Sequence, residues 1–273
     1  MSRELIQNWD ELTDEQKEQA TAMLKYAPLP ETKQVNPAAM FFEKNNWVKI
    51  SGLVNEDIAK LLYLHTIHET QRLNYIDTKL GVDNYDEEIW GTFRDPMSPG
   101  DFGKYGDPIM DSLMQFVMPK IEECTGLELD PNYTYHRLYT SGTELVKHID
   151  RVSCEVSVTL CLGYDVSNVD GNVYPDYDWP MFIKETDRDL PVHMKPGDAL
   201  IYRGDLLEHW REPFIGVNHC QVFLHYNNKN TQYTASVFDG RPLLGLPPSH
   251  RTVDYYDFMK SQKTQKVKIK IID

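Results

Sequence analysis

Apolar positions in this chain recur at helical spacing up to about residue 130 and alternate beyond it. Leu5, Ile6, Trp9, Leu12, Ala20, Met23 and Leu24 predict a helical arm over residues 4–26, with Thr13 to Gln16 as a capping box. Pro28, Pro30 and Pro37 predict an extended linker. Trp47 to Ser51 alternate as a short strand. Asn55 reads as a helix start, and Ile58, Leu61, Leu62, Leu64 and Ile67 line one face to about residue 72. Residues 73–106, rich in Asp, Gly, Pro and Tyr, read as long loops of the kind that border binding sites. Ile109, Leu113, Phe116, Val117 and Ile121 predict a further helix that stops near Gly126.

Short strands follow. Tyr133–Tyr139 and Leu145–Asp150 are candidates, and so are Met181–Ile183, Ala199–Tyr202 and Cys220–Tyr226. Val156, Val158, Leu160 and Leu162 alternate with Ser157, Thr159 and Cys161, giving one apolar face and one of small groups. Such a face suits the lumen of a narrow barrel beside a ligand. Pro196-Gly197 predicts a type II turn. The expected class is α+β: a double-stranded β-helix (jelly-roll or cupin-like barrel) buttressed by N-terminal α-helices. The expected organisation is a helical arm over 1–36 and a helical buttress with long loops over 37–130. A jelly-roll core over 131–230 and a C-terminal extension over 231–273 complete it. The basic, alternating tail of that extension reads as a solvated segment or as a strand added at a sheet edge.

Composition narrows this little. The 273 residues are 41% hydrophobic and 11% aromatic, as in a globular protein. A formal net charge of −14 repels phosphate backbones and anionic lipid, so neither nucleic acid nor a membrane is expected as partner. Cys124, Cys154, Cys161 and Cys220 show no paired spacing and read as free thiols. Without an apolar run of spanning length or a leader-like start, the expected location is cytoplasmic.

Candidate chemistry centres on His148-Ile149-Asp150. On a strand, His148 and Asp150 share a face. Two imidazoles and one carboxylate on one face of a metal suit a non-haem Fe(II) site with three positions left for other ligands. An isolated His-x-Asp is weak evidence, since nine histidines and 42 acidic residues give on the order of one by chance. His209, in Leu207-Glu208-His209-Trp210-Arg211, supplies the second imidazole.

The order of these parts resembles the Fe(II)- and 2-oxoglutarate-dependent oxygenases, most of all their prolyl 4-hydroxylase-like branch. The resemblance spans residues 131–226 and rests on Tyr139, Gly142, His148, Asp150, Lys195 to Leu200, His209 and Pro213. It implies iron held by His148, Asp150 and His209, and Tyr139 at the far carboxylate of 2-oxoglutarate. It further implies dioxygen as a reactant, decarboxylation of 2-oxoglutarate to succinate, and hydroxylation of an amino acid, peptide or small molecule. The family's basic residue about ten positions past the distal histidine is replaced by His219. A histidine there can donate to a carboxylate but is not a constitutive cation, so the expected co-substrate residues are His219 itself and Arg211, which shares strand parity with His209, ahead of Arg137, Arg203 and Lys184. The family's Gly-Gly-x-Thr-x-Phe segment is absent, so proline specificity does not carry over. Two other readings stay open. One is a cupin-type metalloenzyme using the same three ligands without 2-oxoglutarate, and the other is a non-catalytic jelly-roll binding protein. His65, His68, His136, His193, His225 and His250 read as structural, and Trp179 and Trp210 as core fillers or stacking platforms for a substrate ring.

Overall fold

A computed structural model describes residues 13–15, 17–18, 36–81, 84–167, 177–231, 233–257 and 259–261. The chain divides into residues 1–35 and 36–273, and the elements that follow belong to the second unit. Most of the predicted arm over 4–26 and the basic tail from residue 263 lie outside the described residues.

Pro37 opens a helix rather than continuing a linker. In α1 (Pro37–Asn45) it occupies the first turn, where its missing N–H costs nothing, and Asn36 caps Ala38 N at 2.9 Å. β1 (Trp47–Ile50) follows. α2 (Glu56–Leu80) starts where expected, capped by Asn55 on Ile58 N at 2.9 Å, but runs about two turns further than the apolar pattern predicts. The buried stripe is Ala59, Leu62, Thr66, Glu69 and Leu73, while Leu61 and Leu64 are exposed. Glu69 is tolerated there because Lys104 reaches it at 2.8 Å, and this polar interruption hid the stripe.

Residues 73–106 are therefore not all loop. Besides the end of α2 they include α3 (Glu87–Trp90) and β2 (Phe102–Tyr105). α4 (Pro108–Thr125) stops at Gly126, as expected.

The remaining strands are β3 (Leu129–Thr140), β4 (Leu145–His148), β5 (Val156–Asp165), β6 (Met181–Lys184), β7 (Asp189–Val192), β8 (Ala199–Tyr202), β9 (His209–Arg211) and β10 (Asn218–Asn228). All pair antiparallel, in a six-stranded sheet ordered β1-β8-β5-β10-β3-β2 and a four-stranded sheet ordered β4-β9-β6-β7. The Pro-Gly turn forms as predicted: Gly197 has φ 93° and Asp198 N bonds Lys195 O at 2.8 Å.

The alternation of β5 divides the interior. Val156, Val158, Leu160 and Leu162 pack with Leu62, Leu73, Met110, Met114 and Ile121 from α2 and α4. Each such side chain, fully buried, is worth about 1.5–3 kcal/mol. The opposite face of β5 looks toward the four-stranded sheet, where Cys161, Leu200 and Tyr202 join Met181, Ile183 and Val192. Polar side chains collect at one end of this second interior. All four cysteines are buried and free, and no described helix is long and apolar enough to cross a membrane.

Candidate metal and co-substrate site

Strand register brings the two ligand histidines together. His148, the last residue of β4, is the cross-strand partner of His209, the first of β9. Their ring centroids are 4.2 Å apart. Asp150 lies just past the end of β4, where its N–H bonds Gly204 O at 2.8 Å. Its Oδ1 is 3.9 Å from His148 Nε2 and 3.7 Å from His209 Nε2. One ligand atom from each of the three residues lies within 4.8 Å of the others, and no other such trio occurs among the described residues.

Both rings are oriented by their own strands. His148 Nδ1 bonds Val146 O at 2.8 Å, and His209 Nδ1 bonds Leu207 O at 2.9 Å. A carbonyl only accepts, so each Nδ1 carries the proton and each Nε2 turns a lone pair toward Asp150. Burial pushes the pKa of His209 down, against the pull of Asp150, which keeps the ring neutral as a ligand must be. Burial alone would raise Asp150, but attraction from His225 and His209 and the Ser157 hydrogen bond hold it below its usual range. The donor set fits a divalent transition metal: two neutral imidazoles, one ionised carboxylate and no internal cation among them.

Three residues that the sequence did not single out fix Asp150. Ser157 donates to Asp150 Oδ2 at 2.7 Å and contacts His225 Nδ1 at 3.0 Å. His225 stacks on Tyr133 at 4.4 Å. Gly204 is the third, because a Cβ there would overlap both Asp150 Oδ2 and Ser157 Oγ. His225 is thus not a remote structural histidine.

A cavity of about 210 Å³ opens beside the trio, and its wall is a ladder of side chains on neighbouring strands. Tyr133 pairs with His225 and Tyr135 with Phe223, while Arg137 and Tyr139 on the same wall pair with Gln221 and His219, which do not line it. Tyr202 reaches in from β8, its hydroxyl 3.4 Å from His209 Nε2.

The expected co-substrate residues gather behind Tyr139. Arg211 is 2% exposed, and its guanidinium sits 4.7 Å from the Trp179 ring centroid and donates to the Trp179 carbonyl. With the Gln221 amide oriented to satisfy both its ends, its oxygen accepts from Arg211 Nη2 and His219 Nδ1, each at 3.2 Å. Arg137, Arg151 and Arg241 each have a carboxylate; Arg211 forms no ion pair among the described residues. The Tyr139 hydroxyl and His219 Nε2 are buried without a hydrogen-bond partner. Burial, reinforced by the charge of Arg211, pushes the His219 pKa well down. His219 is therefore neutral near pH 7, and the positive charge at this end belongs to Arg211. An uncompensated buried cation beside an unpartnered hydroxyl is costly unless an anion joins it.

Trp179 is buried among Tyr139, Phe214 and His219. Trp210 stacks on Phe182 at 5.4 Å with Lys147 over its ring, and neither tryptophan lines the cavity. Arg203 pairs with Asp205 and Lys184 with Asp189, away from the cavity wall. Arg137 does line the cavity.

No protein-family model matches the sequence, and no curated protein matches it either. Solved structures do. A prolyl-4-hydroxylase of Pseudomonas putida shares 14% identity at a TM-score of 0.50, over 72% of this chain and 100% of that one. AviO1 of Streptomyces viridochromogenes shares 14% at 0.51, over 72% and 96%. The non-haem α-ketoglutarate-dependent epimerase SnoN of nogalamycin biosynthesis shares 13% at 0.52, over 78% and 92%. At these identities the likeness is one of backbone architecture: the chain has the fold of the non-haem 2-oxoglutarate-dependent oxygenases.

Proposed function

We propose that the protein is a non-haem Fe(II)- and 2-oxoglutarate-dependent dioxygenase built on a double-stranded β-helix. It hydroxylates an amino acid, peptide or small molecule while 2-oxoglutarate is converted to succinate. One observation carries the reading: two carbonyl-oriented imidazoles and an ionised carboxylate converge beside a cavity, and behind Tyr139 in its wall a buried guanidinium, Arg211, has no ion pair among the described residues. In this reading His148, Asp150 and His209 hold the iron.

Bound iron would supply activation of dioxygen and of the 2-oxo acid. The chain's own residues do the rest. Val146 O and Leu207 O set the tautomers of the two imidazoles. Ser157 keeps Asp150 ionised and aimed. Arg211 is placed to neutralise the distal carboxylate of 2-oxoglutarate, with the Tyr139 hydroxyl as a donor beside it and His219 as a neutral neighbour. Tyr139, Tyr202 and Phe223 keep water from the walls, which confines the oxidant to its target.

The cupin-type reading without 2-oxoglutarate drew its support from the missing cation at position 219. Arg211 removes that support by bringing a cation to the same neighbourhood. Anaerobic reconstitution tests the choice. Fe(II) with 2-oxoglutarate should give a weak visible charge-transfer band that His148→Ala and Asp150→Ala abolish. Iron bound without a band would sink the 2-oxoglutarate reading.

A further inference from the structure

Two buried arginines, Arg137 and Arg211, lie in the neighbourhood of Tyr139, and the proposed co-substrate uses only one. The second, Arg137, reaches the cavity from β3, its charge centre 5.4 Å from the Tyr139 ring centroid and 5.1 Å from that of Tyr135. It is 5% exposed. Asp95 pairs with it, yet Arg137 Nε has no hydrogen-bond partner. Asp95 is differently placed. Its Oδ2 accepts from the Tyr135 hydroxyl at 2.6 Å and from Arg137, and its Oδ1 caps Met97 N at 2.8 Å. The carboxylate is thus fully used in fixing the arginine, while the arginine has a donor to spare, buried in the wall of a cavity. A guanidinium presents its donors in a planar fork suited to a carboxylate.

The rest of this end of the cavity is largely apolar. Tyr135, Met97 and Phe223 line it with aromatic carbon and a thioether, beside Tyr133, whose ring stacks with Tyr105 and His225. A volume of about 210 Å³ is below the roughly 300–1,000 Å³ of pockets for drug-sized ligands, so the occupant is small. 2-Oxoglutarate would spend one carboxylate at the metal and the other at Arg211, which leaves Arg137 for a different anion.

We propose that Arg137 docks a carboxylate of the primary substrate, and that the enzyme acts on a small carboxylic acid whose apolar body lies against Tyr133, Tyr135, Met97 and Phe223. The inference rests on the oxygenase reading in taking this cavity as the place of reaction. Asp95 and Tyr135 are positioning residues that hold the guanidinium toward the metal.

The test is calorimetric titration of the Ni(II)-loaded, 2-oxoglutarate-saturated protein. The probes are benzoate, phenylacetate, 4-methylpentanoate and L-phenylalanine, each against its carboxamide. At least one acid should bind about tenfold or more tightly than its amide, as expected when a charge-assisted pair replaces a neutral one. Arg137→Gln should erase that preference and leave the 2-oxoglutarate affinity of the Fe(II) form within about twofold. Asp95→Asn keeps the guanidinium but removes the carboxylate that positions it, so the preference for the acid should fall severalfold with the 2-oxoglutarate affinity unchanged; an unchanged preference would remove Asp95 from this role. The inference is overturned if no acid is preferred to its amide, or if the preference survives Arg137→Gln. It is equally overturned if Arg137→Gln weakens 2-oxoglutarate instead of the acid, which would make Arg137 the co-substrate's partner. Absence of a charge-transfer band in the wild-type Fe(II) form would defeat the oxygenase reading separately, since the calorimetric preference does not depend on the band.

Discussion

β3 carries a polar cluster on each of its faces, and both contain histidine and carboxylate. On the inner face Arg137 and Tyr139 stand beside His148, Asp150 and His209. On the outer face His136 packs beneath α2 and α4, its ring 6.1 Å from that of His65. There Lys104 Nζ lies 2.8 Å from Glu69 and 2.9 Å from Asp107, and His65 Nε2 is 3.4 Å from Asp107. Burial would raise Asp107, but the nearby His65 ring and the hydrogen bond and charge of Lys104 hold it far below the carboxylate range. The outer cluster already contains its cation. The inner trio has ligand atoms turned toward one another with no ammonium or guanidinium between them, so it has room for a metal. Whether a cluster of histidine and carboxylate serves structure or binding is decided here by the presence of an internal counterion.

That contrast can be broken in four ways. Asp150→Ala should abolish iron binding at the inner cluster, read by anaerobic Fe(II) titration, while the fold persists by circular dichroism. Lys104→Met removes the counterion of the outer cluster and strands Glu69 and Asp107. A loss of about 3–5 kcal/mol of stability is expected, read as a lower melting temperature, with the iron affinity of the folded protein unchanged. If iron affinity fell in parallel, the two clusters would not be independent. Arg211→Met should weaken 2-oxoglutarate roughly ten- to hundredfold, read from the charge-transfer titration, with little change for iron. An unchanged affinity would remove Arg211 from the co-substrate site.

The smallest effect concerns His136, whose pKa burial pushes down to about 3, with Asp107 pulling the other way. The unfolded chain therefore binds a proton below about pH 6.5 that the folded chain refuses. Its contribution to stability is present above about pH 6.5 and is lost as the pH falls toward about 3. The slope approaches roughly 1.4 kcal/mol per pH unit at most. His136→Phe should flatten that limb in denaturant titrations at several pH values. Both ring nitrogens lack partners, so the substitution should cost little stability at pH 7.

The candidate metal ligands were legible because they sit in short runs whose strand parity is local: His148-x-Asp150, and His209 with Arg211 two positions on. α4 and the Pro196-Gly197 turn were legible for the same reason, since one face or one dipeptide defines each. α1 was missed because Pro37 was read as a break when it stood at a helix's first position. The far end of α2 was missed because Thr66 and Glu69 occupy its buried stripe, and only Lys104, 35 residues away, makes that burial tolerable. His225 and Ser157 carried no spacing signal, since the bond that matters joins β5 to β10 and then to Asp150.

The sequence by itself determined α4 and most of the core strands, the alternation that separates a helix-packed face from a polar interior, and the identity of three ligand-type side chains. Those depend on neighbours a few residues apart. The tertiary structure alone decided that His148 faces His209 across a strand pair, and that Arg137 has a carboxylate while Arg211 forms no ion pair among the described residues. It also decided that His219 is neutral. Register, burial and charge pairing are sums over groups distant in the chain, so they exist only once the sheets have closed around them.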